Sequence, residues 1–215
     1  VIPLPQDGRK AEHWMIEPVA CCVNAVDLTQ IKPGERVALV GSGFMGSILL
    51  QLLALSSASN ISVFELRPEA IAFAKSLRSR IPVDVYDLKE KPKIDALTGT
   101  FDLVFETAAA ERALRMANDL VRAGGTLAVF SWHHHDITFD FGDWHVRGIK
   151  VLNTSPAAAP DFTDCFGRSV PLIEKGLVDL KPLTTHVGSP EEAERIYEHG
   201  LATTDGYIKG VIRWS

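Results

Sequence analysis

A glycine-rich segment, residues 41–46, has the residue types and spacing that most directly suggest chemistry in this sequence. It fits the pattern G-x-G-x-x-G, in which the first glycine permits a tight turn, the second lets the backbone approach a pyrophosphate, and the third lets a helix pack closely on a strand. Backbone N–H groups at the start of that helix, together with its dipole, would face the anion. The six residues are Gly41, Ser42, Gly43, Phe44, Met45 and Gly46.

An acidic residue, Glu65, follows the glycine segment at about the 20-residue distance at which dinucleotide-binding folds place the carboxylate that accepts hydrogen bonds from the adenosine ribose. A carboxylate there would repel a 2′-phosphate, so NAD is favoured over NADP. Arg67 complicates this interpretation, since a nearby arginine can accommodate that phosphate. The alternative is that Glu65 ends a strand and Arg67 is a solvated surface charge.

Two further segments are expected where open α/β sheets bind their ligands, outside the carboxyl ends of the strands. Thr107, with small residues beside it, follows a short apolar run and could approach a ribose. Ser131 and Trp132 follow the next apolar run and are expected near the nicotinamide end. The three histidines that come next, His133 to His135, could hold a metal, line the substrate cleft or form a solvated loop. Consecutive residues in an extended loop point in different directions, so the metal hypothesis is the weakest of the three.

The elements around these residues alternate between apolar strands and helices from residue 36 onward. Continuous apolar strands separated by helices indicate a parallel sheet covered on both faces, and right-handed crossovers make it doubly wound. We therefore predict an α/β fold of the Rossmann type. The predicted strands are residues 36–40, 61–64, 83–86, 102–106, 126–130 and 149–152, and the predicted helices are 44–55, 68–78, 111–121 and 162–175. The paired glycines Gly124 and Gly125 are expected to stop the third of these helices.

The two ends of the chain differ from this pattern. Residues 12–28 alternate apolar and small residues near helical spacing, after a polar connector. The tail, with predicted strands at 183–187 and 208–214 around a helix at 190–201, is expected to pack against something other than the main sheet. We divide the chain into residues 1–30, a nucleotide-binding domain at 31–177, and a C-terminal segment at 178–215.

Composition excludes several functions. The net charge is −5, with no basic stripe to follow a phosphate backbone, which disfavours nucleic acid as a partner. No apolar run reaches the roughly 20 residues that span a bilayer. Cys21, Cys22 and Cys165 show no disulfide framework, so a reducing cytoplasm is expected. Cys21 and Cys22 lack a zinc-site spacing and are expected to be small buried helix residues.

Three segments, taken in order, resemble the zinc-type medium-chain dehydrogenases/reductases, and most closely their polyol (sorbitol) dehydrogenase-like branch. They are residues 17–25 (EPVACCVNA), residues 32–37 (KPGERV) and the glycine loop. The resemblance implies oxidation of an alcohol or reduction of a carbonyl with NAD(P), with hydride passing to or from nicotinamide and zinc acting as a Lewis acid on the substrate oxygen. Glu17 matches a glutamate in or next to the zinc shell of that branch. On its residue type alone, Glu17 is an ordinary first-turn helix acid.

The resemblance also implies a GroES-like domain before residue 1, which would hold the other zinc ligands and the catalytic residues. We therefore expect this chain by itself to bind cofactor with little or no turnover. A homodimer is expected through the edge strand at residues 149–154, because an apolar edge needs a cover and the family pairs two such strands.

Two other classes of protein remain open. An S-adenosylmethionine-dependent methyltransferase also uses a glycine loop and an acid after the second strand, although residues 40–43 lack the acid that usually precedes that loop. A non-catalytic nucleotide-binding module is the second alternative.

Overall fold

The computed structural model describes residues 3–5, 7–91 and 94–214. Its main feature is a parallel six-stranded sheet in the order β3-β2-β1-β4-β5-β6, as the alternating pattern predicts. The order reverses between β1 and β4, which opens a crevice at the carboxyl ends of these strands. The strands are β1 Arg36–Val40, β2 Asn60–Glu65, β3 Val83–Asp87, β4 Phe101–Glu106, β5 Val121–Val129 and β6 Lys150–Asn153.

Helices cover both faces of this sheet and bury its apolar strands. One cluster of buried side chains joins α1 and α2 to one face, and a second cluster joins α4 to the other. Residues 37–40 of β1 are nearly inaccessible to solvent, which explains why that strand is apolar throughout. The helices are α1 Ile16–Thr29, α2 Phe44–Leu53, α3 Pro68–Ser76, α4 Glu111–Leu120, α5 Phe141–Arg147 and α6 Phe162–Glu174.

The junction of α4 and β5 differs from the prediction that paired glycines stop the helix. The helix ends at Leu120, and Gly124 and Gly125 lie within β5. The register between β4 and β5 shifts there, and Gly124 has a φ of 72°, in the left-handed region. A Cβ at Gly125 would lie 3.0 Å from the Asp102 carbonyl oxygen. These glycines therefore accommodate a strand irregularity.

The short helix α5 was missed from the sequence. The Asp140 side chain accepts hydrogen bonds from the backbone N–H groups of Gly142 and Asp143 at its start, and Gly148 ends it in the left-handed region. The Trp144 indole donates to the Asn118 side chain at 2.7 Å, and this contact attaches α5 to α4. A helix of seven residues is too short to show the hydrophobic periodicity by which a helix is predicted from sequence.

The tail forms a two-stranded parallel sheet, β7 Thr184–Gly188 and β8 Lys209–Ile212, with α7 Ala193–Ala202 between them. This sheet is separate from the main one. However, the apolar residues that flank it are buried in the cluster that covers the main sheet, so the tail is attached to the nucleotide-binding domain. These residues are Val178, Leu180, Leu183 and Ile208. Among the described residues, no helix is long and apolar enough to cross a membrane.

Candidate functional site

The glycine loop connects β1 to α2 and has the geometry that its glycines predict. Gly41 has a φ of 90°, and a Cβ there would lie 2.9 Å from the Ala108 Cβ. A Cβ at Gly46 would collide with the Gly41 carbonyl oxygen. Gly43 is the N-cap of α2, so Phe44, Met45 and Gly46 form the first turn, whose N–H groups have no partner within the helix. The loop therefore presents backbone donors to an anion.

Side chains from neighbouring elements fix this loop. The Thr107 hydroxyl, just after β4, donates to the Gly41 carbonyl at 2.5 Å, and the Thr107 N–H donates to the Val40 carbonyl at 2.9 Å. The Ser47 hydroxyl donates to the Ser42 carbonyl at 2.7 Å. Thr107 thus lies directly beside the loop, where the sequence analysis expected a residue close to a ribose.

Glu65 ends β2, and its buried carboxylate is bonded to the surrounding backbone. Its Oε2 accepts from the Ser42 N–H at 2.6 Å, and its Oε1 accepts from the N–H groups of Leu66 and Arg67 at 2.6 and 3.0 Å. Such a carboxylate holds the glycine loop against the turn after β2. A ribose hydroxyl would have to share or replace one of these donors, so ribose recognition by Glu65 stays a prediction.

Arg67 extends over the loop. A Cβ at Gly43 would lie 2.5 Å from its Nη2, so the guanidinium covers the open face of that glycine. Its Nε lies 4.0 Å from Glu65 Oε1 and 3.9 Å from Glu69 Oε1. Glu69 Oε1 is buried and has no hydrogen-bond partner among the described residues. Arg67 is therefore weakly held by two carboxylates next to the space where a pyrophosphate would lie.

A cleft of about 730 Å³ brings together Gly41, Gly43, Glu65, Arg67 and Thr107. Its size is within the range of small-molecule and cofactor sites. The rest of its wall was not predicted from the sequence, because these residues come from distant segments with no motif of their own. Two cations and several apolar residues complete the lining, namely Lys91, Arg112, Leu88, Ile94 and Met116.

A second buried acid, Glu106, ends β4 and was not singled out in the sequence. Its Oε1 accepts from the N–H groups of Ala108 and Ala109 at 2.7 and 2.9 Å, and its Oε2 lies 2.9 Å from His133 Nε2. The Ser131 hydroxyl donates to Glu106 Oε1 at 3.2 Å. This fully buried carboxylate connects the turns after β4 and β5, which together form the far end of the crevice.

The histidine run does not converge on one point. His133 contacts Glu106, whereas the His134 ring stacks on the Trp132 indole with 4.9 Å between ring centres. Trp132 is 78% exposed, and neither it nor Ser131 lines the nucleotide cleft. The described residues contain no group of three or more histidine, cysteine or acidic side chains that could hold a metal ion.

Lys209, on β8, was likewise not predicted as a site residue. Its Nζ lies 5.0 Å from the centre of the Phe44 ring, at the first turn of α2. The tail therefore brings a cation to the helix start that the glycine loop creates. No motif in the sequence indicated this contact, because 165 residues of chain separate the two positions and only the folding of the tail joins them.

The residues that the structure describes do not by themselves form the zinc site that the sequence resemblance implies. Glu17 is exposed at the start of α1, and its Oε1 accepts a hydrogen bond from the Cys21 thiol at 3.1 Å. Burial and this contact raise the pKa of Cys21 to about 12. Cys21 and Cys22 are buried helix residues, as predicted. One carboxylate is not a zinc site, so a metal role for Glu17 stays a prediction.

Comparison with known families gives a match over more than half of the chain. Residues 44–166 match the family described as zinc-binding dehydrogenase. The match begins at the first residue of α2 and runs through strands β2 to β6 to the start of α6, and it therefore includes most of the elements that form the cleft.

Individual relatives are distant and longer. The chain is 24% identical over 218 residues to D-xylulose reductase of Saccharomyces cerevisiae, a match that covers 99% of this chain and 60% of that protein. It is 23% identical over 215 residues to an uncharacterized zinc-type alcohol dehydrogenase-like protein of Escherichia coli K12, again covering 99% and 60%. The chain thus spans about three fifths of the length of these relatives.

A solved structure gives the same fold. A protein of Sinorhizobium meliloti 1021, described as a zinc-binding dehydrogenase and solved bound to NADP, superposes with a TM-score of 0.73 at 23% identity. The superposition covers 84% of this chain and 53% of that one.

Proposed function

The chain belongs to the zinc-binding dehydrogenase family, and we propose that it forms the cofactor-binding part of an oxidoreductase that transfers hydride between an alcohol of the polyol class and NAD. One observation carries the proposal. The glycine loop, fixed by close contacts, leaves the backbone N–H groups in the first turn of α2 available to an anion. These groups lie beside a cleft large enough for a nucleotide. The polyol class is suggested by relatives such as D-xylulose reductase.

Within this proposal, the first turn of α2 binds the cofactor pyrophosphate. Backbone N–H groups of Phe44, Met45 and Gly46 would donate to it, with the helix dipole favouring the negative charge. Arg67 and Lys209 would add cations from two sides of the loop. The apolar wall of Leu88, Ile94 and Met116 would take the adenine ring.

The choice of NAD over NADP is proposed from the carboxylates at the adenosine end. Glu65 and Glu69 both lie within about 4 Å of Arg67, so they already compensate its charge. A 2′-phosphate would meet two acids and one partly neutralised arginine, whereas an unmodified ribose would bring no charge to that place. Lys91 and Arg112 line the same cleft, and their positive charges would favour a 2′-phosphate. The preference for NAD over NADP is therefore expected to be moderate.

The nicotinamide ring of the cofactor would supply the hydride acceptor. This chain's contribution at that end is positional, since Glu106 holds the turns after β4 and β5 together through Ala108, Ala109 and His133. Thr107 would approach the ribose beside the loop. No proton transfer or metal step is assigned to the described residues.

We further propose that the chain forms a homodimer through β6. This strand is an edge of the main sheet, and its Val151 is 38% exposed. The neighbouring helix α5 exposes Phe141 and Val146 as well, at 74% and 85%. An exposed edge with apolar side chains is a surface that proteins normally cover.

Ligand titration of the 215-residue chain tests the cofactor proposal. NADH, NADPH and S-adenosylmethionine are titrated separately, with nucleotide fluorescence for the first two and calorimetry for all three. We expect saturable binding of NADH, weaker binding of NADPH, and no binding of S-adenosylmethionine. Binding of S-adenosylmethionine alone would replace the proposal with a methyltransferase, and failure of all three would refute a nucleotide site.

A further inference from the structure

Glu106 and His133 form an acid–histidine pair at the carboxyl end of the main sheet. Glu106 ends β4, where it is in register with Val40 of β1 on one side and Val129 of β5 on the other. His133 follows β5, and its Nε2 lies 2.9 Å from Glu106 Oε2. The pair therefore lies beside the point where the strand order reverses, which is the place where an open α/β sheet binds its ligand.

The hydrogen of this contact belongs to the histidine. Glu106 Oε1 accepts from the N–H groups of Ala108 and Ala109. It also accepts from the Ser131 hydroxyl, so the carboxyl group acts as an acceptor throughout. Imidazole is ordinarily a stronger base than a carboxylate, and an ionised carboxylate has no hydrogen to donate. We therefore assign the hydrogen to His133 Nε2, which leaves the lone pair of the neutral ring on Nδ1.

The Nδ1 atom of His133 is an acceptor that the protein does not use. Among the residues that the structure describes, Nδ1 has no hydrogen-bond partner, whereas Nε2 has Glu106. In the same part of the chain, Glu69 Oε1 is the one side-chain nitrogen or oxygen that is both buried and without a partner, so Nδ1 is accessible to solvent. The His133 side chain as a whole is only 13% exposed. A mostly buried ring, held at one nitrogen, thus presents the other nitrogen to a ligand.

The position of this acceptor relative to the cofactor rests on the proposed function. In that proposal, the adenosine lies beside Glu65 and Arg67 at the end of β2, and the glycine loop binds the pyrophosphate. A dinucleotide that crosses the crevice in this way has its nicotinamide half over the carboxyl ends of β4 and β5. Thr107, the residue after Glu106, donates to the Gly41 carbonyl, so the acid–histidine pair begins directly beside the loop.

We propose that His133, oriented by Glu106, accepts a hydrogen bond at Nδ1 from the nicotinamide-nucleotide half of the cofactor. That half carries donors in its two ribose hydroxyls and in its carboxamide NH2 group, and an imidazole lone pair can accept from any of them. The anionic pyrophosphate carries acceptors alone and would find no donor at this atom. In this proposal His133 contacts the cofactor, and Glu106 is a positioning residue that acts through the histidine ring.

Replacing Glu106 with glutamine separates this proposal from a purely structural role. The N–H groups of Ala108 and Ala109 require an oxygen, so the glutamine NH2 group would face His133. An amide NH2 group can only donate, so His133 Nε2 would have to accept, and the ring hydrogen would move to Nδ1. The variant keeps the size and most hydrogen bonds of the side chain, but it converts the proposed cofactor acceptor into a donor.

Titration of three ligands into the 215-residue chain tests the proposal. NADH, ADP-ribose and ADP are compared by calorimetry, because ADP keeps the adenosine and pyrophosphate and ADP-ribose adds the second ribose. We expect Glu106→Gln and His133→Phe each to weaken NADH binding by about tenfold, the effect of one lost hydrogen bond with its donor left unpaired, and to bind ADP normally. A loss shared by ADP-ribose identifies a ribose hydroxyl as the donor, and a loss confined to NADH identifies the carboxamide.

Nitrogen-15 NMR of the His133 ring gives a second measurement that does not depend on ligand binding. We expect the hydrogen on Nε2 in the parent protein and on Nδ1 in Glu106→Gln. His135→Asn, at an exposed position in the same histidine run, is the matched control and should bind all three ligands like the parent protein. Circular dichroism establishes that each variant is folded, and either of the two test variants decides the question if the other does not fold.

Equal losses of NADH and ADP affinity in the folded variants would show that the pair only supports the turns, and they would overturn the proposal. Unchanged NADH affinity in those variants, or a ring hydrogen on Nδ1 in the parent protein, would overturn it as well. All three results leave the proposed function standing. A parent protein that binds none of the three ligands would instead refute the proposed function, and this inference with it.

Discussion

Lys209 Nζ lies 5.0 Å from the centre of the Phe44 ring, and this contact connects the last strand of the chain to the first residue of the helix after the glycine loop. A cation above an aromatic face is attracted to it, and here the attraction holds the ammonium beside the backbone donors of the loop. The tail therefore belongs to the electrostatic environment of the candidate cofactor site.

Replacing Lys209 with methionine should weaken NADH binding by about tenfold, since a charge-assisted contact to phosphate contributes about 1.5 kcal/mol or more. The loss should shrink as salt is added, because salt screens the lysine in the parent protein. Fluorescence titration at several salt concentrations measures both effects. Lys175→Met, at an exposed position after α6, is the control and should bind NADH normally. Unchanged affinity in Lys209→Met would remove this residue from the site.

Gly43→Val should abolish NADH binding while leaving the protein folded. A Cβ at Gly43 meets only the end of the flexible Arg67 side chain, so the fold can adjust, but the valine occupies the space of the pyrophosphate. At Gly46, by contrast, a Cβ would meet the backbone of Gly41, so Gly46→Val should lower the melting temperature. Gly167→Ala, in open space on α6, serves as the control. Normal NADH affinity in a folded Gly43→Val protein would show that the pyrophosphate lies elsewhere.

Glu65→Ala should narrow or reverse the preference for NADH over NADPH, because a carboxylate near the 2′-position is removed. It should also reduce the free energy of unfolding by about 1–3 kcal/mol, since the buried N–H group of Ser42 and the partly buried N–H groups of Leu66 and Arg67 lose their acceptor. Parallel titrations with both nucleotides and urea unfolding measure these changes. The exposed Glu111→Gln variant should alter neither property. Equal affinities of the parent protein for NADH and NADPH would contradict the expected preference.

Val151→Lys should shift the proposed homodimer toward monomer, because it puts a charge in the middle of the exposed edge strand β6. Sedimentation velocity at micromolar concentration measures the mass. Asp84→Lys, on the opposite edge strand β3, should leave the mass unchanged. A parent protein that sediments as a monomer would refute the homodimer directly.

The sequence predicted the elements whose signals are local. Strands β1, β2, β4 and β5 each contain a short apolar run. The helices between the strands carry their own start and end signals, such as proline at the first position of α3. The glycine spacing predicted the loop because the backbone angle at Gly41 and the close contact at Gly46 each require a glycine. These constraints act over a few residues, and sequence reasoning therefore found them.

Local signals were misleading where a tertiary contact decided the outcome. The paired glycines Gly124 and Gly125 were interpreted as a helix stop, but pairing with β4 places them inside β5, where a bulge needs them. Helix α5 was missed because its stability comes from its cap and from the Trp144 contact with Asn118. Neither feature leaves a periodic pattern.

The sequence by itself determined the fold class, the glycine loop and the position of Glu65, because hydrophobic periodicity and glycine requirements are properties of neighbouring residues. Only the tertiary structure decided what those groups contact. In the folded chain, Glu65 accepts a hydrogen bond from the loop backbone, and Glu106 contacts His133. Lys209 lies over the Phe44 ring, and His186 lies beside His199. Each of these contacts joins separate elements, and side-chain partners of that kind depend on how strands and helices pack rather than on spacing along the chain.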